Sequence, residues 1–273
     1  MKAYLKQERS RLSSIGFVPT MGALHPGHIS LIQASKRDNA ITVCSIYINP
    51  TQFSNPSDLA RYPRTLDQDI LLLQGAACDA VFCPDNITMY PAPSVMTFDF
   101  GPVDKILEGE FRPGHYSGVA LVVSKLFNMI QPDRAYFGQK DFQQFKVVSQ
   151  FVEELKFDVS LVCAPIIREA DGLAMSSRNM RLTEAERKRS TLLYESLKQT
   201  RAGLLRRESL KQLRNAVRLQ CEQNSIKLEY LALADRETFT ILEAVGDPER
   251  AILLIAAYVG EVRLIDNVFL VEK

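Results

Sequence analysis

Apolar positions in the first part of the chain alternate between two textures. Residues 15–18 form a short continuous apolar run that predicts a strand, and Pro19 and Gly22 break it. Ile29, Leu31, Ile32 and Ala34 then recur at helical spacing, so the pattern is strand, turn, helix. Residues 40–48 are a near-continuous β-branched run, as in a strand covered on both faces. The pattern continues with a helix over 65–75, a strand over 80–83 and a short extra strand over 95–100. It goes on with a helix over 119–130, a strand over 134–137, a helix over 142–155 and a strand over 159–167. Strands alternating with helices predict an α/β unit with a parallel sheet and right-handed crossovers.

The texture changes after Met175-Ser176-Ser177-Arg178-Asn179. Residues 183–203 and 209–223 predict two amphipathic helices, the first opened by a capping box of Thr183 and Glu186. Apolar runs over 228–234, 251–259 and 262–271 lack intervening helices and predict a small antiparallel sheet. The expected division is therefore 1–178, an α/β domain, and 179–273, a smaller α+β domain that acts as a lid over the site.

Composition narrows the functional classes. At 273 residues, with 46% hydrophobic and 24% charged residues, the chain suits one large or two moderate globular domains. A net charge of +1 gives no electrostatic case for nucleic acid or a membrane surface. Residues 1–11 carry several charges and no apolar core, unlike a signal peptide, and no apolar run approaches the ~20 residues that span a bilayer. The five cysteines form no CxxC and sit mainly in apolar runs, which suits buried thiols in a reducing compartment. The expected location is cytoplasmic.

The candidate chemistry begins at the first turn. His25 and His28 stand three apart at the predicted helix start, and the chain has three histidines in all. A solvated turn, a metal pair and an anion site are the open readings; no third ligand of matching spacing is nearby. A helix N-terminus at the carboxyl end of a parallel strand suits a phosphate. Gln52 lies in the loop after the second strand. Gly138-Gln139-Lys140-Asp141 follows the 134–137 strand, with a glycine for close backbone approach and a lysine as a mobile charge. Ser176, Ser177 and Arg178 supply two hydroxyls and a guanidinium, and a domain linker is the competing reading.

The H-x-G-H turn resembles the HIGH-type signature of nucleotidylyl transferases and class I tRNA synthetases, which hold ATP phosphates with it. PTMGALHPGH, NPTQF, RYPRT, LEGEFRPGHYSGV, YFGQKDFQQ, DGLAMSSRN and GEVRLIDN follow in the order, and at about the spacings, of the pantothenate synthetase (pantoate–β-alanine ligase) family. The resemblance covers nearly the whole chain. It implies a Rossmann-like N-terminal domain, usually a homodimer, and ATP-dependent joining of pantoate to β-alanine through a pantoyl-adenylate, with release of AMP and pyrophosphate.

Carried over by position, the family's ATP-binding residues match Met21, Gly22, Ala23, Leu24, His25, Pro26, Gly27 and His28. They also match Gly138, Gln139, Lys140, Asp141, Ile167, Met175, Ser176, Ser177 and Arg178. Its general acid matches His28, with His25, Lys140, Ser176, Ser177, Arg178 and Mg²⁺ expected to balance charge on the phosphates. Its pantoate-binding glutamines match Gln52 and Gln144, and Met21 is expected against the geminal methyl groups. Arg112 and His115 either line the approach to the site or pack and cap locally. Three positions depart from the family pattern: Gln139 replaces a common glutamate, Pro26 a usually acidic or polar residue, and Gln68 an aspartate of some relatives. Asp67 and Asp69 remain as the acids of that segment. The protein ligands of any metal are left open, as are two alternatives: another HxGH nucleotidylyl transferase, and a non-catalytic adenine-nucleotide sensor.

Overall fold

The computed structural model describes residues 1–11 and 13–272. The chain divides into two compact units. One is Met1–Gln139 with Gln143–Pro165, and the other is Lys140–Phe142 with Ile166–Lys273.

The first unit holds a five-stranded parallel sheet: β1 (Ile15–Thr20), β2 (Ile41–Ile46), β3 (Ala80–Phe82), β4 (Arg134–Gly138) and β5 (Ser160–Ala164), in the order β3-β2-β1-β4-β5. Consecutive strands are joined through helices, among them Pro26–Asp38, Leu66–Gly75, His115–Ile130 and Phe142–Glu154. One core cluster gathers Phe17, Val43, Phe127 and Phe151; a second gathers Val18, Ile32, Cys44 and Tyr136. Successive residues of β1 thus enter different clusters, as the period of two requires. The order reverses at β1, so the carboxyl ends of β1 and β4 flank the switch point where such sheets open a crevice.

The second unit holds an antiparallel sheet in the order β7-β6-β8-β9, from β6 (Ile226–Asp235), β7 (Ile241–Leu242), β8 (Ala251–Val259) and β9 (Val262–Phe269). Helices Leu192–Leu205 and Leu210–Gln223 contribute Leu193, Leu197, Val217 and Cys221 to its core with Leu233, Leu253 and Ile255. The Thr183–Glu186 capping box forms as its residues predict.

Besides the short helices Pro56–Ala60, Asn86–Met89 and Glu108–Phe111 and the two-residue β7, which the pattern did not predict, other features differ from the pattern reading. Residues 95–100 form no strand: Val95 is 93% exposed, and the Phe98 N–H goes to the Ser117 hydroxyl at 2.9 Å, with no strand ladder. Lys2–Ser10 is a helix that its charges concealed. Leu5 is buried, and Arg9 donates to the Ile130 carbonyl at the end of helix His115–Ile130. The 183–203 segment is two helices, Glu184–Ser190 and Leu192–Leu205, meeting at Thr191. There Ser190 and Thr191 hydroxyls bond the Glu186 and Lys188 carbonyls, a competition that bends helices. Finally, the units divide before Ile166, ahead of the expected 178/179. The stretch from Ile166 onward is tied to the second sheet by the Arg168–Asp266 ion pair. Among the described residues no helix is long and apolar enough to cross a membrane.

Candidate active site

The turn after β1 is held in an uncommon backbone shape. Gly22 has φ +80° and Ala23 φ +50°, two successive residues in the left-handed region. Asp69, 2% exposed on helix Leu66–Gly75, meets this turn with both carboxylate oxygens. Oδ2 accepts the Ala23 N–H at 2.9 Å and Oδ1 the Leu24 N–H at 2.7 Å, while Thr65 Oγ1 donates to Oδ1 at 3.2 Å. A Cβ on Gly22 would come within 2.9 Å of Asp69 Oδ2, so close approach as well as φ calls for glycine. The amides of Ala23 and Leu24 are thus committed to a carboxylate.

Helix Pro26–Asp38 starts from this turn, with His25 as N-cap and Pro26 at its first position, where the missing N–H costs nothing. The departure at Pro26 therefore fits the fold. The rings of His25 and His28 lie 4.0 Å apart, centroid to centroid. His28 Nδ1 accepts the His25 backbone N–H at 3.3 Å. A backbone amide can only donate, so Nδ1 is unprotonated and the ring proton sits on Nε2, making that nitrogen a donor.

Gln52, placed by its loop position where a side chain is usually solvated, is 8% exposed. It ends a single 3₁₀ turn, Pro50–Gln52, whose cap is the fully buried Asn49. Asn49 Oδ1 accepts the Thr51 N–H, and Asn49 Nδ2 donates to the Gly118 carbonyl at 3.1 Å. One neighbour can only donate and the other can only accept, so the Asn49 amide has one satisfactory orientation. Its Nδ2 also donates to Gln52 Oε1 at 3.1 Å, which turns Gln52 Nε2 toward Met21, 3.3 Å from the sulfur. Tyr90 donates its hydroxyl to Asn49 Oδ1 at 2.8 Å; burial pushes that phenol above its ordinary range and keeps it protonated. Gly118 permits this packing, because a Cβ there would lie 2.3 Å from the Thr51 carbonyl oxygen.

His115 is buried, and its Nδ1 stands 2.8 Å from the Gln52 carbonyl oxygen. It supports the Gln52 loop from behind, which is the packing alternative. Arg112 stands 3.7 Å from Glu108.

After β4, the Cβ position of Gly138 opens onto free space. Gln143 and Gln144 begin helix Phe142–Glu154 and have different roles. Gln143 is buried and bonds Glu108 N–H and the Val103 and Ile106 carbonyls. Gln144 is half-buried, with no side-chain hydrogen bond to any described residue. Since β1 and β4 are parallel neighbours, the segments bearing His28 and Gln144 leave the same edge of the sheet.

The remaining candidates belong to the second unit. Lys140 is 18% exposed in its side chain, with Nζ 3.8 Å from Asp141 Oδ2, and Asn267 Nδ2 donates to its carbonyl at 3.0 Å. Ile167 and Met175 face each other across a hairpin, Met175 N–H donating to Ile167 O at 3.0 Å. Ser176 Oγ accepts the Arg178 N–H at 3.2 Å and opens a 3₁₀ segment, Ser177–Arg181, in which Ser177 is buried. The 176–178 stretch is thus an ordered cap within the second unit, which the linker reading does not describe.

The expected residues fall into two groups. Met21, His25, His28, Gln52 and Gln144 are on the first unit; Lys140, Asp141, Ile167, Met175, Ser176, Ser177 and Arg178 are on the second. Asn49, in the NPTQF motif, and Asp69, noted only as an acid of its segment, were given no role from the sequence, and Tyr90 was not singled out. One signal existed for Asp69: it stands four before the buried Leu73, a carboxylate on the apolar face of a helix, which requires a partner. Among the described residues no three His, Cys, Asp or Glu side chains gather as a metal cage.

The family profile described as pantoate-beta-alanine ligase matches residues 1–269. The pantothenate synthetase of Cytophaga hutchinsonii is 44% identical over 273 residues, covering 99% of this chain and 96% of that protein. The crystal structure of pantothenate synthetase from Thermus thermophilus superposes with a TM-score of 0.90 at 39% identity, covering 97% of each chain. The structure of the Francisella tularensis pantoate-beta-alanine ligase complexed with beta-gamma ATP and beta-alanine gives 0.79 at 35% identity, covering 97% of this chain and 95% of that one.

The turn geometry predicts that Asp69→Ala, by orphaning two backbone donors, lowers the unfolding free energy by about 2–5 kcal/mol. The exposed Asp67→Ala should stay within about 0.5 kcal/mol of the parent. Urea unfolding of both variants checks this, and equal effects would contradict the assignment.

Proposed function

Because the chain belongs to the pantoate–β-alanine ligase family, we propose that it uses ATP to join pantoate and β-alanine through a pantoyl-adenylate. The ligation is the family's reaction. The nucleotide, the intermediate and the residues that serve each step belong to the proposal. The relative from Francisella tularensis, complexed with beta-gamma ATP and beta-alanine, supports ATP as the co-substrate.

A carboxylate does not condense with an amine in water, because an oxide-like leaving group would have to depart. In the proposed first step a pantoate carboxylate oxygen attacks the α-phosphorus of ATP. The bond from that phosphorus to the bridging oxygen breaks, and pyrophosphate leaves with the electron pair. In the second step the β-alanine nitrogen attacks the acyl carbon, AMP leaves with the acyl C–O pair, and the nitrogen loses a proton. Alignment and charge stabilisation are what the protein has to supply.

The orientation of Gln52 supports this reading most directly. Its Nε2 is turned toward Met21 by Asn49, so it offers an N–H donor to a substrate oxygen. An amide orients a carboxylate or hydroxyl without a formal charge, whereas an arginine would damp the nucleophile it held. Gln144, whose side chain has no hydrogen bond to a described residue, is the second amide of this proposal. His28, with its proton on Nε2, would donate to the phosphate oxygens as charge builds there. Lys140, Ser176, Ser177 and Arg178 would balance the departing pyrophosphate.

Magnesium is proposed to arrive with the nucleotide's phosphates. Asp69 has both oxygens committed to backbone amides and is not offered as a ligand, and among the described residues no three His, Cys, Asp or Glu side chains gather. A homodimer and a cytoplasmic location are carried as further proposals from the family resemblance.

Pyrophosphate release tests the whole reading: ATP with pantoate should give about one equivalent per site without β-alanine, and steady turnover once β-alanine is added. No release under either condition would refute it. Gln52→Ala should raise the pantoate KM roughly 10–100-fold, the cost of one hydrogen bond to a charged group, and leave the ATP KM within about twofold. His28→Ala should slow adenylate formation about 10²–10³-fold in single turnover. A loss confined to the amine step would remove its phosphate role.

A further inference from the structure

In the second unit the Arg168 guanidinium bonds to backbone and side-chain groups next to residues proposed for ATP. Arg168 grips Asp266 with a fork: Nη1 to Oδ2 at 2.6 Å and Nη2 to Oδ1 at 3.0 Å. Asp266 is 3% exposed, and the arginine side chain is 16% exposed. The same guanidinium donates to the Gly172 carbonyl at 3.1 Å and to the Asn267 carbonyl at 3.3 Å. Its central carbon lies 3.7 Å from the centre of the Tyr194 ring. Gly172, at φ +93°, admits that ring, since a Cβ there would meet it at 2.5 Å.

These contacts connect two separate stretches of chain. On one side is the hairpin whose arms carry Ile167 and Met175, closed by the Arg168–Ala174 bridge and the Met175–Ile167 hydrogen bond. It runs directly into Ser176, Ser177 and Arg178. On the other side is Asn267, whose carbonyl Arg168 holds and whose side-chain amide holds the Lys140 carbonyl. Phe142 anchors the same short segment against Phe239 and Phe269, at 6.3 and 5.4 Å between ring centroids. Lys140–Phe142 therefore belongs to the second unit while the residues on either side belong to the first.

We propose that Arg168, paired with Asp266, is the positioning residue that sets the Lys140 segment and the 167–178 hairpin in one fixed arrangement for ATP. The inference rests on the assignment of those segments to ATP in the proposed function. A lysine could hold one oxygen of Asp266 but could not fork, stack on Tyr194 and reach two carbonyls at once, so Arg168→Lys is not conservative here.

The test is calorimetric titration with ATP, without pantoate, on the full chain and its Arg168→Lys, Lys140→Ala and double variants, each checked by circular dichroism. Arg168→Lys should weaken ATP binding at least tenfold and leave the pantoate KM within twofold. In the Lys140→Ala background the same substitution should weaken binding markedly less, because part of its effect passes through Lys140. If Arg168→Lys does not fold, Asn267→Asp replaces the donor to Lys140 by an acceptor and should weaken ATP binding in the same direction. Equal losses for ATP and pantoate, or full additivity with Lys140→Ala, would overturn the proposal. ATP binding unaltered by Lys140→Ala would remove the premise itself. A weakened Lys140→Ala beside an unaltered Arg168→Lys would remove the positioning role alone.

Discussion

The buried carboxylate of Asp69 accepts the amides of Ala23 and Leu24, and the geometry of the first unit's candidate site begins there. Two successive residues with positive φ are costly for a chain that is not all glycine, and a turn of that shape persists when its surroundings over-determine it. Asp69 supplies that determination with two charge-assisted bonds, and Gly22 supplies the room. The turn then delivers His25 as the cap of helix Pro26–Asp38 and His28 one turn further on. The orientation of both rings, and the tautomer of one, are downstream of a residue that carries no motif.

The same logic governs the amide side of the site. A glutamine presents its oxygen or its nitrogen with nearly equal ease, so its chemistry depends on its neighbour. Asn49 is fixed between an N–H that must donate and a carbonyl that must accept, and it passes that polarity on to Gln52. The closeness of the Gly118 backbone, which no larger residue would allow, makes the arrangement possible. A neutral donor is thereby set, as the proposed attack by a substrate carboxylate asks.

In the second unit a buried ion pair replaces the buried amide. Breaking such a pair from one side leaves an uncompensated charge, so the fork between Arg168 and Asp266 is a strong constraint even where its net stabilisation is small. Its value is in specifying one arrangement of several loops. It also explains why residues 166–178 belong with the C-terminal sheet, although by texture they read as the tail of the preceding α/β pattern.

Strand and helix order, the parallel sheet, the capping box at Thr183 and the motif residues were all legible in the amino-acid order, because hydrophobic period and turn chemistry are local properties. The absent strand at 95–100 and the N-terminal helix were not. Whether an apolar run pairs, or one leucine suffices to dock a charged helix, depends on what lies opposite. The same holds for function. His25, His28, Gln52 and Lys140 were visible as types at a spacing. The proton on His28 Nε2, the donor face of Gln52 and the second-unit membership of Lys140 came from contacts of the His25 amide, Asn49 and Asn267 that no motif displays. A hydrogen bond's direction belongs to a pair of groups, and a chain read one residue at a time does not contain the pair until it has folded.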